Sequence, residues 1–322
     1  MLNRMKNIKL TLIVLFILGL YSNITISQQD AQYTQYMYNT LSVNPAYAGT
    51  RDIFSFIGLY RNQWFGNEIK GTPKTYTVSV HSPIANKVSL GLNFVRDEIF
   101  ITQETYIDLN FSYMFNVSEK GRLSMGLKGG AHLLDVDAKR AYEGAYNQGD
   151  PDAQVFIDNK FSPQLGLGAY YFTSRFYAGL SAPNILETKH FDESSVDPDS
   201  NATATAKERI NYYFITGHTF DLSDDILFKP AILAKLVSGA PLQLDLSANF
   251  LINDKFTLGA AYRWSAALSA MAGFQINDQL MLGLAYDRET TALAKYNNGS
   301  IEIMLRYELF NSNESMVSPR FF

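Results

Sequence analysis

The sequence contains no cysteine. That excludes a disulfide framework and the thiol through which a lipoprotein is anchored. Long apolar runs are almost absent. Residues 10–20 form the one such stretch, and it is too short to span a bilayer comfortably as a helix. Charge is sparse, with 18% Asp, Glu, Lys and Arg. There is no nucleophile-elbow serine motif and no glycine-rich phosphate loop. The four histidines, His81, His132, His190 and His218, lie in four separate segments without metal-ligand spacing. What is abundant is aromatic: 22 Phe and 20 Tyr, with 14% aromatic residues in all. A soluble all-β protein has room for such a load, but interfacial aromatic girdles explain it better.

The N-terminus reads as a targeting segment. Arg4, Lys6 and Lys9 precede the apolar run, and small or polar residues follow up to Ser27. This is the pattern of a secretory signal peptide, with cleavage expected before Gln28. Losing its three cations takes the net charge from −4 to about −7, which argues against nucleic acid as a partner. An exported chain without a spanning helix is periplasmic, secreted or a membrane barrel. Length alone suggests two domains, yet one large barrel fits equally well. The expected organisation is a signal peptide over 1–27, a periplasmic or plug segment over 28–50, a barrel over 51–310 and a tail over 311–322.

One stretch organises the rest, because it repeats itself. Phe250, Asn253, Asp254, Gly259 and Tyr262 recur as Phe274, Asn277, Asp278, Gly283 and Tyr286, an offset of 24 residues. That is about two membrane-crossing strands of roughly 10 residues with their connections. Within each copy apolar residues alternate. Phe256, Leu258, Ala260 and Tyr262 oppose Thr257, Gly259, Ala261 and Arg263. Period 2 is the signature of a strand, and Asn-Asp supplies turn chemistry between strands.

The same unit extends along the chain. The expected strands are 52–61, 74–83, 88–97, 103–116, 122–133, 161–172, 176–182, 209–221, 226–237, 241–252, 255–264, 268–276, 279–287 and 298–310. Six tight turns alternate with seven other connections, the arithmetic of a 14-stranded barrel with both termini on one side. The fold class is therefore all-β, a transmembrane antiparallel barrel of about 14 strands. Stripes such as Leu123/Met125/Leu127 and Ile301/Ile303/Leu305 face lipid, while Ser124/Gly126/Lys128 and Glu302/Arg306/Glu308 face inward. This polarity is inverted relative to a soluble barrel. A β-sandwich also alternates; the targeting segment, the turn asymmetry and the aromatic strand ends favour the membrane barrel.

Nothing in the sequence marks an enzyme, a cofactor or a metal. Asp135, Asp137, Asp150 and Asp152 have Ca²⁺-type oxygens but no EF-hand spacing, so a solvated acidic loop is the simpler reading. Residues 134–160 hold six acids and three bases, and residues 184–208 hold six acids and two bases. These acidic loops, with Asp192, Glu193, Asp197 and Asp199 in the second, are the expected partner-binding rim. Lys229, Lys235, Asp245, Arg263, Asp287, Glu302, Arg306 and Glu308 should face the lumen and pair. Such a ladder either tunes a pore or fills and stiffens a narrow interior; the second reading is favoured. Tyr33, Tyr36, Met37 and Leu41 share one face of a short helix, broken at Asn44-Pro45.

Four blocks of residues now carry a resemblance. They are Gln32 to Asn39 (QYTQYMYN), Asn44-Pro45-Ala46-Tyr47-Ala48-Gly49, Arg61-Asn62-Gln63-Trp64, and Gly71-Thr72-Pro73. With Tyr262-Arg263, Tyr286-Asp287 and the terminal Ser318-Pro319-Arg320-Phe321-Phe322, the chain resembles the PorP/SprF family over essentially its whole mature length. Thr72 departs from the Gly-Ala-Pro typical of that family. The resemblance implies an outer-membrane β-barrel of the type IX secretion system, in some bacteria tied to gliding motility. It implies as partners a secreted cargo protein with a C-terminal sorting domain, other secretion components on the periplasmic side, and the lipid bilayer. An Asn-Pro-Ala box before a 14-stranded barrel is also similar to the fatty-acid transporter FadL. A channel or transporter of hydrophobic solutes is therefore the alternative.

Overall fold

A computed structural model describes residues 32–66, 71–137, 156–186 and 209–309. Residues 1–31, 67–70, 138–155, 187–208 and 310–322 lie outside the described set, and with them the targeting segment, the tail and most of both acidic loops.

The described chain forms a closed antiparallel barrel of 14 strands. We number them β1 (Phe54–Asn62), β2 (Lys74–Ala85), β3 (Val88–Ile99), β4 (Thr102–Asn116), β5 (Arg122–Asp137), β6 (Phe156–Phe172) and β7 (Phe176–Ala182). Then come β8 (Asn211–His218, resumed as Phe220–Ser223), β9 (Ile226–Val237), β10 (Gln243–Ile252), β11 (Phe256–Arg263), β12 (Ala267–Gln275), β13 (Leu280–Glu289) and β14 (Ser300–Leu309). Each strand pairs with its neighbours in sequence. The seam closes between β1 and β14, with Phe54 opposite Leu309 and Arg61 opposite Glu302. A closed sheet leaves no unpaired edge, the condition for backbone to survive in lipid.

The pleat sorts the side chains as the periodicity requires. On β4, Leu109 is 65% exposed and its neighbour Asn110 is 1% exposed. Leu127, Leu165, Leu180, Leu258 and Leu284 also point outward, while Ser112, Ser124, Asp245, Asn249 and Glu302 are buried inside. At the end with short turns, outward aromatic rings contact in series. His218–Phe220 are 4.4 Å apart, Phe228–Phe250 4.9 Å and Phe256–Phe274 5.0 Å between centroids. This belt suits a membrane–water interface.

The two copies of the repeat close their turns differently. Asn253 and Asp254 both take left-handed backbone, with φ of 51° and 53°, as a tight hairpin turn needs. In the second copy the Asn277 side chain instead accepts from the backbone N–H groups of Gln279 and Leu280, each at 2.9 Å. The long-loop end is not uniformly long: β3–β4 turn over Phe100-Ile101, and β11–β12 over residues 264–266.

The largest departures from the sequence reading are at the β5–β6 connection. Residues 134–137 and 156–160 are strand, not loop. Val136 pairs with Ile157 and Asp137 with Phe156, and an irregularity beside Asp135 lets its carboxylate accept from the Asn159 N–H at 2.9 Å. Asp135 and Asp137 therefore ride on the projecting β5–β6 ribbon. Pairing between residues about twenty apart supplies backbone bonds that no local pattern announces.

The wall polarity has a measurable consequence. Leu109→Arg places a charge against lipid in mid-strand. It should cost about 2–4 kcal/mol, while Leu109→Phe should stay within about 1 kcal/mol, in reversible denaturant unfolding from lipid vesicles. Equal effects of the two changes would mean that this face does not contact lipid.

Candidate functional site

The lumen is filled by the chain's own N-terminal segment. Gln32 begins near the long-loop end, beside Gln243 at the start of β10, with a side-chain hydrogen bond of 2.6 Å. The segment then passes down the bore and meets β1 at the short-turn end. Its described residues are almost all buried. It is not the helix that the spacing of Tyr33, Tyr36, Met37 and Leu41 suggested. Those four side chains are buried, but the backbone runs in turns with two short 3-10 pieces, Thr40–Ser42 and Pro45–Tyr47. Most of its backbone bonds close single turns, as from the Tyr38 N–H to the Gln35 carbonyl at 3.0 Å, and the wall accepts others, such as those of Thr34 and Gln35.

Mid-lumen, the Asn44-Pro45-Ala46 box is clamped. Asn44 Oδ1 accepts from the Ala46 N–H at 3.0 Å, and its Nδ2 donates to the carbonyls of Ala169 at 3.1 Å and Leu180 at 3.4 Å. Approach this close needs glycine in the wall. A Cβ on Gly126 would lie 2.2 Å from the Ala46 nitrogen, and one on Gly168 would lie 2.1 Å from Asn44 Oδ1. Below, Tyr47 packs edge-on against His81 and Tyr170, at 5.5 and 5.4 Å. The Gly49 N–H reaches His81 Nδ1 at 3.3 Å, so this histidine serves packing. Ser181 and Ser112 donate to the Val43 and Ala48 carbonyls, both at 2.7 Å.

Two ion clusters hold the ends. At the long-loop end the Arg61 guanidinium lies 2.7 Å from Asp287 and 3.1 Å from Glu302. Glu302 accepts from the backbone N–H groups of Thr34 and Gln35, at 3.0 and 2.9 Å. The Thr34 hydroxyl is 2.7 Å from both Asp287 oxygens. At the short-turn end Arg51 Nη2 donates to Glu308 at 3.0 Å, and Asp52 accepts from Arg122 at 2.9 Å. Burial raises the hydroxyl pKa of Tyr33, Tyr36 and Tyr47. It also pushes Tyr38 up to about 12, with Arg306 opposing. The phenols of the plug therefore stay neutral, and its charge resides in Arg51 and Asp52.

The eight charged residues assigned to the lumen are all buried there. Asp245 pairs with Arg263 at 3.1 Å, and Lys229 sits 5.1 Å over the Tyr177 ring. A void of about 20 Å³ between Tyr36, Leu233, Lys235 and Asp245 has room for about one water.

The residues singled out in the sequence do not form one site. Asn44, Pro45, Ala46, Tyr47 and Gly49 are in the plug, Asp287 in the upper cluster, and Arg263 in its separate pair. Gly71 and Pro73 lie at the long-loop rim, where their carbonyls accept from Phe100 and Gln63 at 3.0 and 2.9 Å. Asp135 and Asp137 sit on the ribbon. Asp150, Asp152, Asp192, Glu193, Asp197, Asp199, Pro319 and Arg320 lie outside the described residues. Among the described residues no three metal-ligating side chains converge. Sequence reasoning missed Arg51, Arg61, Asp52 and Arg122 as lumen ions. Arg61 was recoverable, because period 2 places it inward with Ile57 and Leu59.

The family comparison agrees with a membrane protein. A model of the family described as type IX secretion system membrane protein PorP/SprF matches residues 25–307. No curated protein matches the chain significantly. Among solved structures, the Acinetobacter baumannii outer membrane protein Omp33 is 7% identical with a TM-score of 0.48, covering 81% of this chain and 100% of its own. The CymD monoaromatic hydrocarbon channel is 10% identical at 0.48, covering 90% and 96%. A Pseudomonas aeruginosa FadL homologue is 14% identical at 0.43, covering 80% and 89%. These likenesses concern the barrel fold.

The upper cluster yields a double test. Arg61→Met strands two buried carboxylates and should cost about 3–5 kcal/mol of unfolding free energy. Adding Asp287→Asn and Glu302→Gln should recover most of that loss. No recovery in the triple variant would mean that the ions are not energetically coupled.

Proposed function

The chain belongs to the PorP/SprF family of type IX secretion system membrane proteins, and from that premise we propose that it is a plugged, non-enzymatic barrel. It supports secretion or surface anchoring of one cargo protein bearing a C-terminal sorting domain. The short-turn end faces the periplasm and the other secretion components; the long-loop end faces out. The observation that carries the reading is the plug. A bore threaded by buried backbone and pinned by ion pairs at both ends is built to hold a shape, not to pass a solute. Such a barrel acts through what docks at its two mouths.

The second reading, a channel or FadL-like transporter, makes the opposite prediction about conduction. Purified protein in a planar bilayer should be electrically silent. Stable open-channel steps would favour the transporter.

Cargo contact belongs to what protrudes. The β5–β6 ribbon carries Asp135 and Asp137, and in sequence the β5–β6 and β7–β8 connections add Asp150, Asp152, Asp192, Glu193, Asp197 and Asp199, an excess of negative charge. It should steer a basic patch on the cargo and make association salt-sensitive. Replacing residues 192–201 by a Gly/Ser linker costs little closure entropy, so the barrel should still reach the outer membrane. Surface display of the cargo, scored by antibody on whole cells, should fall. Full display after residues 140–153 are shortened as well would move cargo binding away from the rim.

A further inference from the structure

The short-turn mouth contains a cleft of about 730 Å³ that neither the plug nor the wall fills. This is within the size of ordinary ligand pockets, about 300–1,000 Å³. Its lip is made by the two repeat turns, with Asp254, Lys255, Asn277, Asp278 and Gln279. Its floor is Arg51, Arg306 and Glu308. Both arginines are more than nine-tenths buried, at 2% and 4% exposure. They share the single Glu308 carboxylate, Arg51 closely and Arg306 at 3.7 Å. The Nη1 atoms of both have no hydrogen-bond partner among the described residues. The floor thus carries two guanidiniums against one carboxylate, with N–H donors left over beneath its surface, while the lip adds Lys255 against Asp254 and Asp278.

We infer that this cleft binds an extended peptide segment that inserts one carboxylate between Arg51 and Arg306. The guanidinium fork matches carboxylate geometry, and a second anion completes the charge count of the floor. The rest of the lining fits a peptide better than a free anion. Gln279 offers an amide for backbone hydrogen bonds beside Gln275 and Asn277, whose amides also brace the turn, and Leu251 and Met281 offer apolar contact. The opening faces the short-turn side, so with the orientation proposed above the segment comes from a periplasmic protein. Binding itself does not depend on that orientation.

Detergent-purified full-length protein can be titrated calorimetrically with three probes. These are an acetylated, amidated pentapeptide Ala-Ser-Glu-Ser-Ala, its Gln counterpart, and glutarate. The Glu peptide should bind about tenfold more tightly than the Gln peptide, the scale of a charge-assisted hydrogen bond. Arg306→Gln should remove that preference. Because Arg306 is buried and its loss could unsettle the barrel, exposed Gln279 gives an independent handle. Gln279→Lys should strengthen, and Gln279→Glu weaken, the Glu peptide by a few-fold at low salt, about what a lip charge contributes. Equal binding of the two peptides, or no binding of either, overturns the carboxylate site. Glutarate binding as tightly as the Glu peptide overturns the peptide as its ligand. A preference unmoved by both Arg306→Gln and the Gln279 pair places the contact elsewhere and overturns the assignment.

Discussion

The Glu302 carboxylate is the point on which the interior depends. It lies on β14, directly across the closing seam from Arg61 on β1. It pairs with that arginine and accepts two backbone N–H groups of the plug. One side chain therefore ties the seam that makes the sheet a barrel to the segment that fills it. A buried carboxylate is costly unless its lone pairs are satisfied, and Glu302 is satisfied only when seam and plug are both in place. Closure and filling become cooperative, so the plug is part of the fold and not an accessory laid into a finished tube.

That coupling explains the composition of the bore. The inner face of a membrane barrel is polar because the apolar surface is spent on lipid. Fourteen strands enclose more space than their own inward side chains fill. The plug makes up the difference with amphipathic residues. Tyr33, Tyr36, Tyr38 and Tyr47 supply ring volume, and Tyr33 and Tyr36 meet Thr77 and Ser247 through hydroxyls at 2.7 and 3.4 Å. Where apolar side chains do face inward, as Ile57, Leu59 and Met304 do, the plug contributes Met37 and Leu41 to the same buried cluster. The lumen is a mixed core whose polar part is ordered by the wall.

The wall was legible in the sequence almost residue by residue; the plug was not. Lipid and lumen impose opposite demands on alternate residues, so Leu123, Met125 and Leu127 announce their face without knowledge of any partner. Strands 176–182 and 226–237 coincide with the observed spans, and the others differ at their ends by one to five residues. The plug obeys no period, because its contacts are set by wherever the wall puts a donor. Arg61 and Glu302 are 241 residues apart in sequence, and nothing near either announces the other. The helical spacing of Tyr33, Tyr36, Met37 and Leu41 was genuine but misleading: burial on all sides satisfies such a pattern in any compact conformation. The ribbon carrying Asp135 and Asp137 escaped notice for a related reason. The pleat still alternates there, but its polarity is reversed: Leu134 and Val136 are buried on the inner face, and the aspartates lie on the other.

The two mouths differ in a way that bears on mechanism. Near the long-loop end the described interior is tight, with Thr34, Arg61, Asp287 and Glu302 in mutual contact and room for about one water beside Lys235. At the short-turn end the bore opens into a cleft with a cationic floor. Among the described residues, a bore filled near one mouth and open at the other is a blind cup. A partner arriving at the short-turn mouth meets Arg51, one of the two ions of the plug. Arg51 is bonded to Glu308 on β14, the strand that carries Glu302 at its other end. Anything that competes for Arg51 thus acts on the same strand that anchors the plug near the long loops.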